Sequence, residues 1–445
     1  MKNTVMLYIQ ESRFKELKEI VDKINIVDIA DLFELLNKEQ LIIVFRLLNK
    51  ENAAEVFSYL QREHQQYIIE SISDKEIKNI MEDLFIDDTV DFLEEMPASV
   101  VNRVLKNIDG ETRKTINNFL TYPDESAGSL MTIEMVDLKK EMTVSESIEY
   151  IRENGVDKET INNCYVIDNN RRLEGTISIR RLILSSPDSY IKDIMDTDII
   201  KVNTFDDQEE IAELFKKYDY TTMPVVDKEN CLVGIITIDD IVDIIEQENT
   251  EDLHIMAALT PSEDEYIKTP ILILVKNRIL WLLVLMLSAA ISGAVIHRFE
   301  EVLESIIILA TFIPLLMDTG GNAGAQSSTL VIRSLALGQV DFSDIFTILY
   351  KELRVAALSG LILAIVNFAR IIIFYKTESM MIAIVVSATL FITIVIAKII
   401  GGLLPLFAKK IGVDPAIMAA PLITTIVDAL ALIVFFSLSV LLLGL

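Results

Sequence analysis

Five long apolar segments, near 279–296, 306–331, 353–375, 379–404 and 418–444, constrain this chain more than any other feature. Each can cross a hydrocarbon core of about 30 Å at ~1.5 Å per helical residue. A bilayer offers no partners to an open backbone, so five membrane helices are expected. The last segment holds a single acid, Asp428, and no Lys or Arg. A carboxylate at mid-span costs on the order of 3 kcal/mol on insertion scales. It can hold a cation, carry a proton or pair with a base on another helix; the structural alternative is a protonated, hydrogen-bonded packing residue.

Composition fits this picture only if charge and apolar character are segregated. The 445 residues are 51% hydrophobic, yet the net charge is -27. From 271 to 445 there are 11 Lys and Arg against 10 Asp and Glu, which leaves 29 against 57 in residues 1–270. An acidic soluble half is therefore joined to a nearly neutral membrane half. Such a surface disfavours nucleic acid and suits cations. Lys276, Arg278, Arg333, Lys351, Arg354, Lys409 and Lys410 flank one side of the spans, and Arg298 and Lys376 the other. Positive-inside counting places the acidic half in the cytoplasm, at the cell membrane, with the C-terminus outside. The first residues carry no apolar core with a small-residue cleavage site, so no signal peptide is expected. Cys164 and Cys231 lie apart in apolar runs, as reduced core cysteines do.

The soluble half reads as three parts. From 32 to 118 a pattern of polar starts and apolar turns recurs every 12 residues, beginning LLNKEQ and LLNKEN, which predicts a small helical solenoid. Its acids, Glu55, Asp87, Asp88 and Asp91 among them, have cap or solvated-face roles as their ordinary explanation. Asp87 and Asp91 nonetheless share a helical face, where like charges repel unless a cation or base intervenes. Two similar alpha/beta units follow, in which Val166-Ile167-Asp168 matches Val225-Val226-Asp227 and Gly175 matches Gly234 at a constant offset of 59. This tandem resembles a pair of cystathionine-beta-synthase-type (CBS) domains. Such pairs serve as regulatory modules for adenosine nucleotides or ions, and no Gly-rich phosphate loop is present for hydrolysis. Before the first span, residues 246–270 carry Glu248, Glu251 and Asp252, close in sequence to Asp239, Asp240 and Asp243. That density stores repulsion which a dication relieves.

Within the second span, Gly320, Gly321, Gly324 and Ala325 permit close helix approach, and Asn322, Gln326, Ser327 and Ser328 add hydrogen-bonding groups at membrane depth. They either glue helices together or let other helices reach a pore axis. Lys398 in the fourth span either snorkels to the cytoplasmic headgroups or neutralises a buried acid. An odd number of spans does not divide into equal repeats, so a pore between two copies, with Asp428 presented twice, is economical. No nucleophile and base, zinc ligand set or phosphate loop can be assembled, and His64, His254 and His297 are scattered, so an enzyme is not expected.

Three stretches carry a family resemblance: FIPLLMDTGGNAGAQSSTLVIRSLALG, DPAIMAAPLITTIVDALALIVFF and YPDESAGSLMT. The chain resembles the MgtE family of magnesium channels, also called magnesium transporters, over nearly its full length. The resemblance implies a helical N domain at 1–128, CBS domains at 129–190 and 191–247, a linker (plug) helix at 248–270 and a pore domain at 271–445. It further implies a homodimer with its pore between subunits, Asp428 as the central ion-binding residue, and Asp414, Ala420, Pro421, Thr424 and Thr425 as pore lining. Ala431 stands where the family commonly has Gly, and Ala420 offers no side-chain oxygen, so backbone carbonyls and water are expected beside Asp428.

The same resemblance implies closure by cytoplasmic Mg2+ at acidic sites. These would be Glu55, Asp87 and Asp91 in the N domain, Asp207, Glu209, Asp219, Asp240 and Asp243 in the second CBS domain, and Glu248, Glu251 and Asp252 in the linker. Mg2+ would be both cargo and regulator, with ATP or another adenosine nucleotide as a possible ligand of the CBS pair. The competing class is a non-conducting membrane receptor whose Asp428 is buried structure; polar and small residues inside the membrane argue against it, since an anchor needs one span. A further alternative keeps the pore but passes Ca2+, Co2+ or Mn2+, which also accept oxygen ligands.

Overall fold

The computed structural model describes residues 2–262, 266–375 and 380–444, so Lys376 and the acids at 263–265 lie outside the described residues. The chain divides into two compact units, 1–245 and 246–445.

In the first unit, α1 (Lys2–Gln10) and α2 (Phe14–Val21) precede a regular series. It comprises α3 (Ile26–Phe33), α4 (Lys38–Phe45), α5 (Lys50–Ser58), α6 (Arg62–Ser71), α7 (Asp74–Asp83), α8 (Ile86–Glu94), α9 (Ala98–Asn107) and α10 (Gly110–Phe119). Each opens 12 residues after the one before. Asn25, Asn37, Asn49, Ser73 and Asp109 supply N-caps, their side chains accepting first-turn N–H bonds, each worth about 1 kcal/mol over Ala. Helices of 8–10 residues are too short to stand alone, so they persist by burying Leu41, Phe57, Ile68, Ile77, Val90 and Val104 against one another. Arg103 on α9 ties the stack: its Nη1 donates to Ile69 O at 2.5 Å and its Nη2 to Ile72 O at 2.7 Å, filling carbonyls at the end of α6.

After α11 (Ala127–Leu130) come β1 (Asp137–Lys139), α12 (Val144–Asn154), β2 (Asn163–Ile167), β3 (Leu173–Ser178), α13 (Ile179–Leu184) and α14 (Ile191–Ile194). Then follow β4 (Val202–Asn203), α15 (Gln208–Tyr218), β5 (Thr222–Val226), β6 (Leu232–Thr237) and α16 (Ile238–Met256). The two sheets run β1-β2-β3 and β4-β5-β6, each with a parallel then an antiparallel pair. Val166 pairs with Gly175 and Val225 with Gly234, and the register slips after each valine, so the offset of 59 read from sequence is also a structural register.

The second unit contains α17 (Ile271–Arg298), α18 (Glu300–Ser305), a 3-10 turn at Ile307–Phe312, α19 (Ile313–Ala336) and α20 (Ile345–Phe374). It ends with α21 (Met380–Lys410), a 3-10 turn at Pro415–Met418 and α22 (Ala420–Leu443). Among the described residues five helices are long and apolar enough to cross a membrane. They run beyond the apolar segments at their cytoplasmic ends because helix does not stop where lipid does: α17 takes in Lys276 and Arg278, and α20 takes in Lys351 and Arg354. α19 packs against α21 and α22, α20 against α21, and α17 against α22.

The stretch expected as a separate linker helix is arranged differently. Its helical part is the distal portion of α16, unbroken from Ile238 to Met256. The helix ends where Ala258 turns to a left-handed φ of 54° ahead of Pro261, and Pro270 then opens α17.

Candidate functional site

In the membrane unit, glycine sets the geometry. A Cβ on Gly321 would lie 2.2 Å from Thr424 Cγ2, and one on Gly401 would lie 2.2 Å from Gly324 O. α19 therefore lies backbone-close to α22 on one side and to α21 on the other. Ser328 Oγ donates to Met418 O at 2.6 Å, and Ser327 Oγ donates to Glu352 Oε2 at 2.5 Å. These glycines and serines bind helices together.

Asn322 and Gln326 behave differently. With Asp318 they form an i, i+4, i+8 row on α19, exposed in the single chain and hydrogen-bonded to nothing among the described residues. Asp428 on α22 is only partly covered; its Oδ1 is buried without a hydrogen-bond partner, and Asp318 is the other charge acting on it. Asp318 lies within FIPLLMDTGGNAGAQ, but a partner on another helix leaves no local spacing by which the sequence marks it.

Lys398 does not reach Asp428 or the headgroups. It is 6% exposed, and its Nζ donates to Ser327 Oγ at 3.3 Å and to Ala323 O at 3.5 Å. The acid it meets, through Ser327, is Glu352, whose Cγ rests 3.0 Å from the Cβ position of Gly402. Of the expected lining residues, Asp414 caps the last 3-10 turn by accepting from Ala416 N at 2.7 Å. Thr425 Oγ1 donates to Pro421 O at 3.0 Å, and Thr424 Oγ1 donates to Ala420 O and Pro421 O, so each hydroxyl keeps only acceptor capacity for a hydrated ion. Ala431 is buried in the bundle.

At the cytoplasmic edge of this unit, Ile255 and Met256 pack on Ile332, Ala416 and Ala419. Arg333 Nη1 donates to Asn249 Oδ1 at 3.5 Å. Burial, and then the charge of Asp414, raises the Asp252 carboxyl above its ordinary range, while Arg333 opposes the shift. The distal end of α16 thus rests where the last span begins. Glu248 and Glu251 lie on the same stretch of helix.

The first unit holds a separate acidic cluster. α8 opens Ile86-Asp87-Asp88, and Asp88 N donates to Asp87 Oδ1 at 2.9 Å. Loss of water, followed by the charges of Asp240, Asp239 and Glu134, raises Asp88 to about 6. Desolvation followed by Glu94, Asp240 and Asp88 takes Asp91 to about 7. Desolvation followed by Asp239, Asp240 and Asp88 takes Glu159 to about 7 as well. Asp87 is pushed well up by burial, then by Asp88 and Asp240. Asp240, also desolvated, reaches about 6 even though Thr237 Oγ1 donates to its Oδ2 at 2.8 Å. The strongest charges acting on each are acids. Glu159 and Glu134 come from the first CBS domain, in loops whose sequence gave no sign of it.

The remaining expected ligands are dispersed. Glu55 is exposed on α5 and acts on Tyr59 together with Asp88, Asp239 and Glu159. Asp207 caps α15 by accepting from Glu209 N at 2.9 Å, Asp219 ends that helix at a left-handed φ of 52°, and Asp243 is exposed one turn beyond Asp240. Among the described residues no three His, Cys, Asp or Glu groups close into a direct metal-binding set. An all-oxygen, net-negative cluster that closes no direct ligand set among the described residues suits a hard cation that keeps its water, as Mg2+ does.

An N-terminal helical array, a CBS pair and a five-helix bundle with acids at membrane depth define a multi-pass cation transporter. Comparison with known proteins gives the family. Residues 24–125 match the MgtE intracellular N domain, 127–187 and 191–247 match CBS domains, and 313–438 match the model described as a divalent cation transporter. The chain is 36% identical over 362 residues to the magnesium transporter MgtE of Thermus thermophilus, covering 80% of each. It is 29% identical to that of Bacillus subtilis, covering 98% of this chain and 96% of the other. A crystal structure of the cytosolic domain of the Mg2+ channel MgtE in complex with ATP superimposes with a TM-score of 0.53 at 36% identity, covering 55% of this chain and all of that one. The chain belongs to the MgtE family of magnesium transporters, which are not enzymes, and its N-terminal half is cytoplasmic.

Proposed function

We propose that this protein is a Mg2+-selective channel for magnesium uptake across the plasma membrane, formed by two copies and closed by Mg2+ on its cytoplasmic acids. The observation that carries the pore is the row Asp318, Asn322 and Gln326, exposed on a single chain at membrane depth beside Asp428. Lipid cannot solvate such a row, so it must face water or a second copy. A two-fold axis there presents Asp428 twice to one ion. Two carboxylates attract a dication and repel anions, and Mg2+, which dehydrates reluctantly, passes largely hydrated, held through water. Asp414, Ala420, Pro421, Thr424 and Thr425 line the path, chiefly through backbone carbonyls and threonine oxygens.

The domain assignment follows the sequence reading: a sensor at 1–128, CBS domains at 129–190 and 191–247, a linker at 248–270 and the pore from 271 to 445. Glu55, Asp87, Asp91, Asp207, Glu209, Asp219, Asp240, Asp243, Glu248, Glu251 and Asp252 serve as regulatory ligands. Supporting this, desolvation and then neighbouring acids raise the carboxyls of Asp87 (Asp88 and Asp240), Asp91 (Glu94 and Asp240) and Asp240 (Asp239 and Asp243), and a bound cation removes the repulsive part. At low internal Mg2+ the acids repel and the gate relaxes; at high internal Mg2+ ions bridge them and the pore stays shut. An adenosine nucleotide, such as the ATP held by the related cytosolic domain, binds the CBS pair without being hydrolysed.

The test is divalent-ion flux into liposomes carrying the purified protein, with Mg2+ titrated on the side of the acidic half. Flux that falls as Mg2+ rises on that side supports both pore and sensor. A folded dimer that passes no divalent ion at low Mg2+ would instead be a receptor.

A further inference from the structure

A buried ammonium and a carboxylate joined through one serine cost more desolvation than well-packed apolar groups of the same volume, so stability alone does not explain them. What Lys398, Ser327 and Glu352 supply is orientation. α20 packs along α21 and barely on α19, so the 2.5 Å bond from Ser327 Oγ to Glu352 Oε2 ties α19 to a helix it hardly touches. Lys398 on α21 grips α19 at two successive turns, donating to Ala323 O at 3.5 Å and to Ser327 Oγ at 3.3 Å. Ser327 gives its one proton to Glu352 and accepts from Lys398, so its hydroxyl is fixed from both sides.

Elsewhere the seam is smooth. Gly324 meets Gly401 backbone to backbone, with no side chain interlocked there to stop one helix turning against the other. Ser328, the next residue, points about 100° further round α19. Its Oγ donates at 2.6 Å to the carbonyl of Met418, the last residue of the 3-10 turn that leads into α22. One helical turn on, Ile332 packs on Ala416 and Ala419, where Ile255 and Met256 also rest. At a helix radius of about 5.5 Å, turning α19 by about 10° carries a side-chain end through about 1 Å, which takes the 2.6 Å bond out of hydrogen-bonding range.

We infer that Lys398, Ser327 and Glu352 are positioning residues for the cytoplasmic mouth of the transport path: they fix the rotation of α19, and Ser328 passes that rotation to the Met418 carbonyl where α22 begins. Removing the charges frees α19 to turn, withdraws Ser328 from Met418 and loosens the turn on which the distal end of α16 rests. The effect on closure rests on the Mg2+ gate proposed above; the mechanical link does not.

The test uses full-length protein in liposomes with both cysteines replaced, Cys164→Ala and Cys231→Ala, and a reporter thiol at Met418→Cys, which keeps the carbonyl. A water-soluble maleimide labels the reporter slowly in this parent. Ser328→Ala and the neutral pair Lys398→Met, Glu352→Gln are each expected to raise the rate about tenfold, and all three changes together no more than either alone, because they act on one link. Ser359→Ala, whose hydroxyl donates at 2.7 Å within its own helix to Val355 O, is expected to change nothing. In flux, the Mg2+ concentration for half closure is expected to shift about fivefold in Ser328→Ala and in the neutral pair alike, which a role in packing alone would not produce. If the neutral pair does not reconstitute, Ser327→Ala takes its place in the same comparison. Parent-like labelling in the neutral pair overturns the inference, as do rates that multiply to about a hundredfold when the changes are combined. Faster labelling with an unmoved half-closure also overturns it. Should the parent show no closure by Mg2+, the gate proposed above fails, and the labelling rates decide the link by themselves.

Discussion

Asp428 and Lys398 are two of the costly charges of the membrane unit, and the structure separates their roles. Asp428 has an unpartnered buried oxygen, whereas Lys398 is held by Ser327, which also donates to Glu352. Asp428→Ala is therefore expected to cut Mg2+ uptake more than tenfold, an effect of order 1.4 kcal/mol or more, while leaving a folded dimer. Wild-type flux in that folded variant would remove Asp428 from the pore. Lys398→Met leaves Glu352 as an uncompensated acid and is expected to cost roughly 3–5 kcal/mol of stability. The double change Lys398→Met, Glu352→Gln recovers most of that loss. Thermal unfolding in detergent measures both, and equal losses in the single and double variants would show that the two groups are not coupled.

At the scale of elements, the glycines of α19 matter because they decide how near α22 can come. Gly321→Val drives a branched side chain into Thr424 and is expected to abolish flux and lower the yield of folded dimer, whereas a change at Gly293, whose Cβ position is open, is expected to be silent. Comparing the two variants in the same flux assay separates close packing from general intolerance of substitution. Elements of this kind were largely legible in the sequence. The 12-residue period, the repeat offset of 59 and the five spans are patterns within contiguous stretches, and each has a structural counterpart. Contacts between distant stretches were not legible. Glu352 falls just ahead of the third apolar segment and nothing near it names Ser327 or Lys398, and Glu159 joins Asp88 and Asp240 only through tertiary folding. The linker was legible as acidic but not as part of α16, because no Gly or Pro marks a boundary that does not exist.

At the scale of the whole molecule, the acidic cluster couples closure to solution conditions. Asp88 and Asp240 near 6, and Asp91 and Glu159 near 7, lie above the unfolded carboxylate range of about 4, so the assembled cluster binds more protons than the opened chain does. Its stability is therefore lost as pH rises through 6 to 7 and regained as pH falls. In metal-free full-length protein, the cytoplasmic half is expected to resist protease better at pH 5.5 than at pH 8, with a Tm higher by roughly 5 °C. Saturating Mg2+ should shrink that difference, because a bound cation relieves the same repulsion. Identical pH dependence with and without Mg2+ would dissociate the cluster from cation sensing.

The unbroken course of α16 has a mechanical consequence. Its 19 residues form a rod of about 28 Å, with Asp240 near one end and Met256, seated on Ala416 and Ala419, at the other. A rod transmits angle rather than distance. Turning the Asp240 end by about five degrees sweeps the Met256 end through roughly 2 Å, since the 16 intervening steps span about 24 Å. A hinge between them would have absorbed that motion. The chain has instead the proportions of a lever, in which a small turn at one end of the helix becomes a shift of about 2 Å at the other.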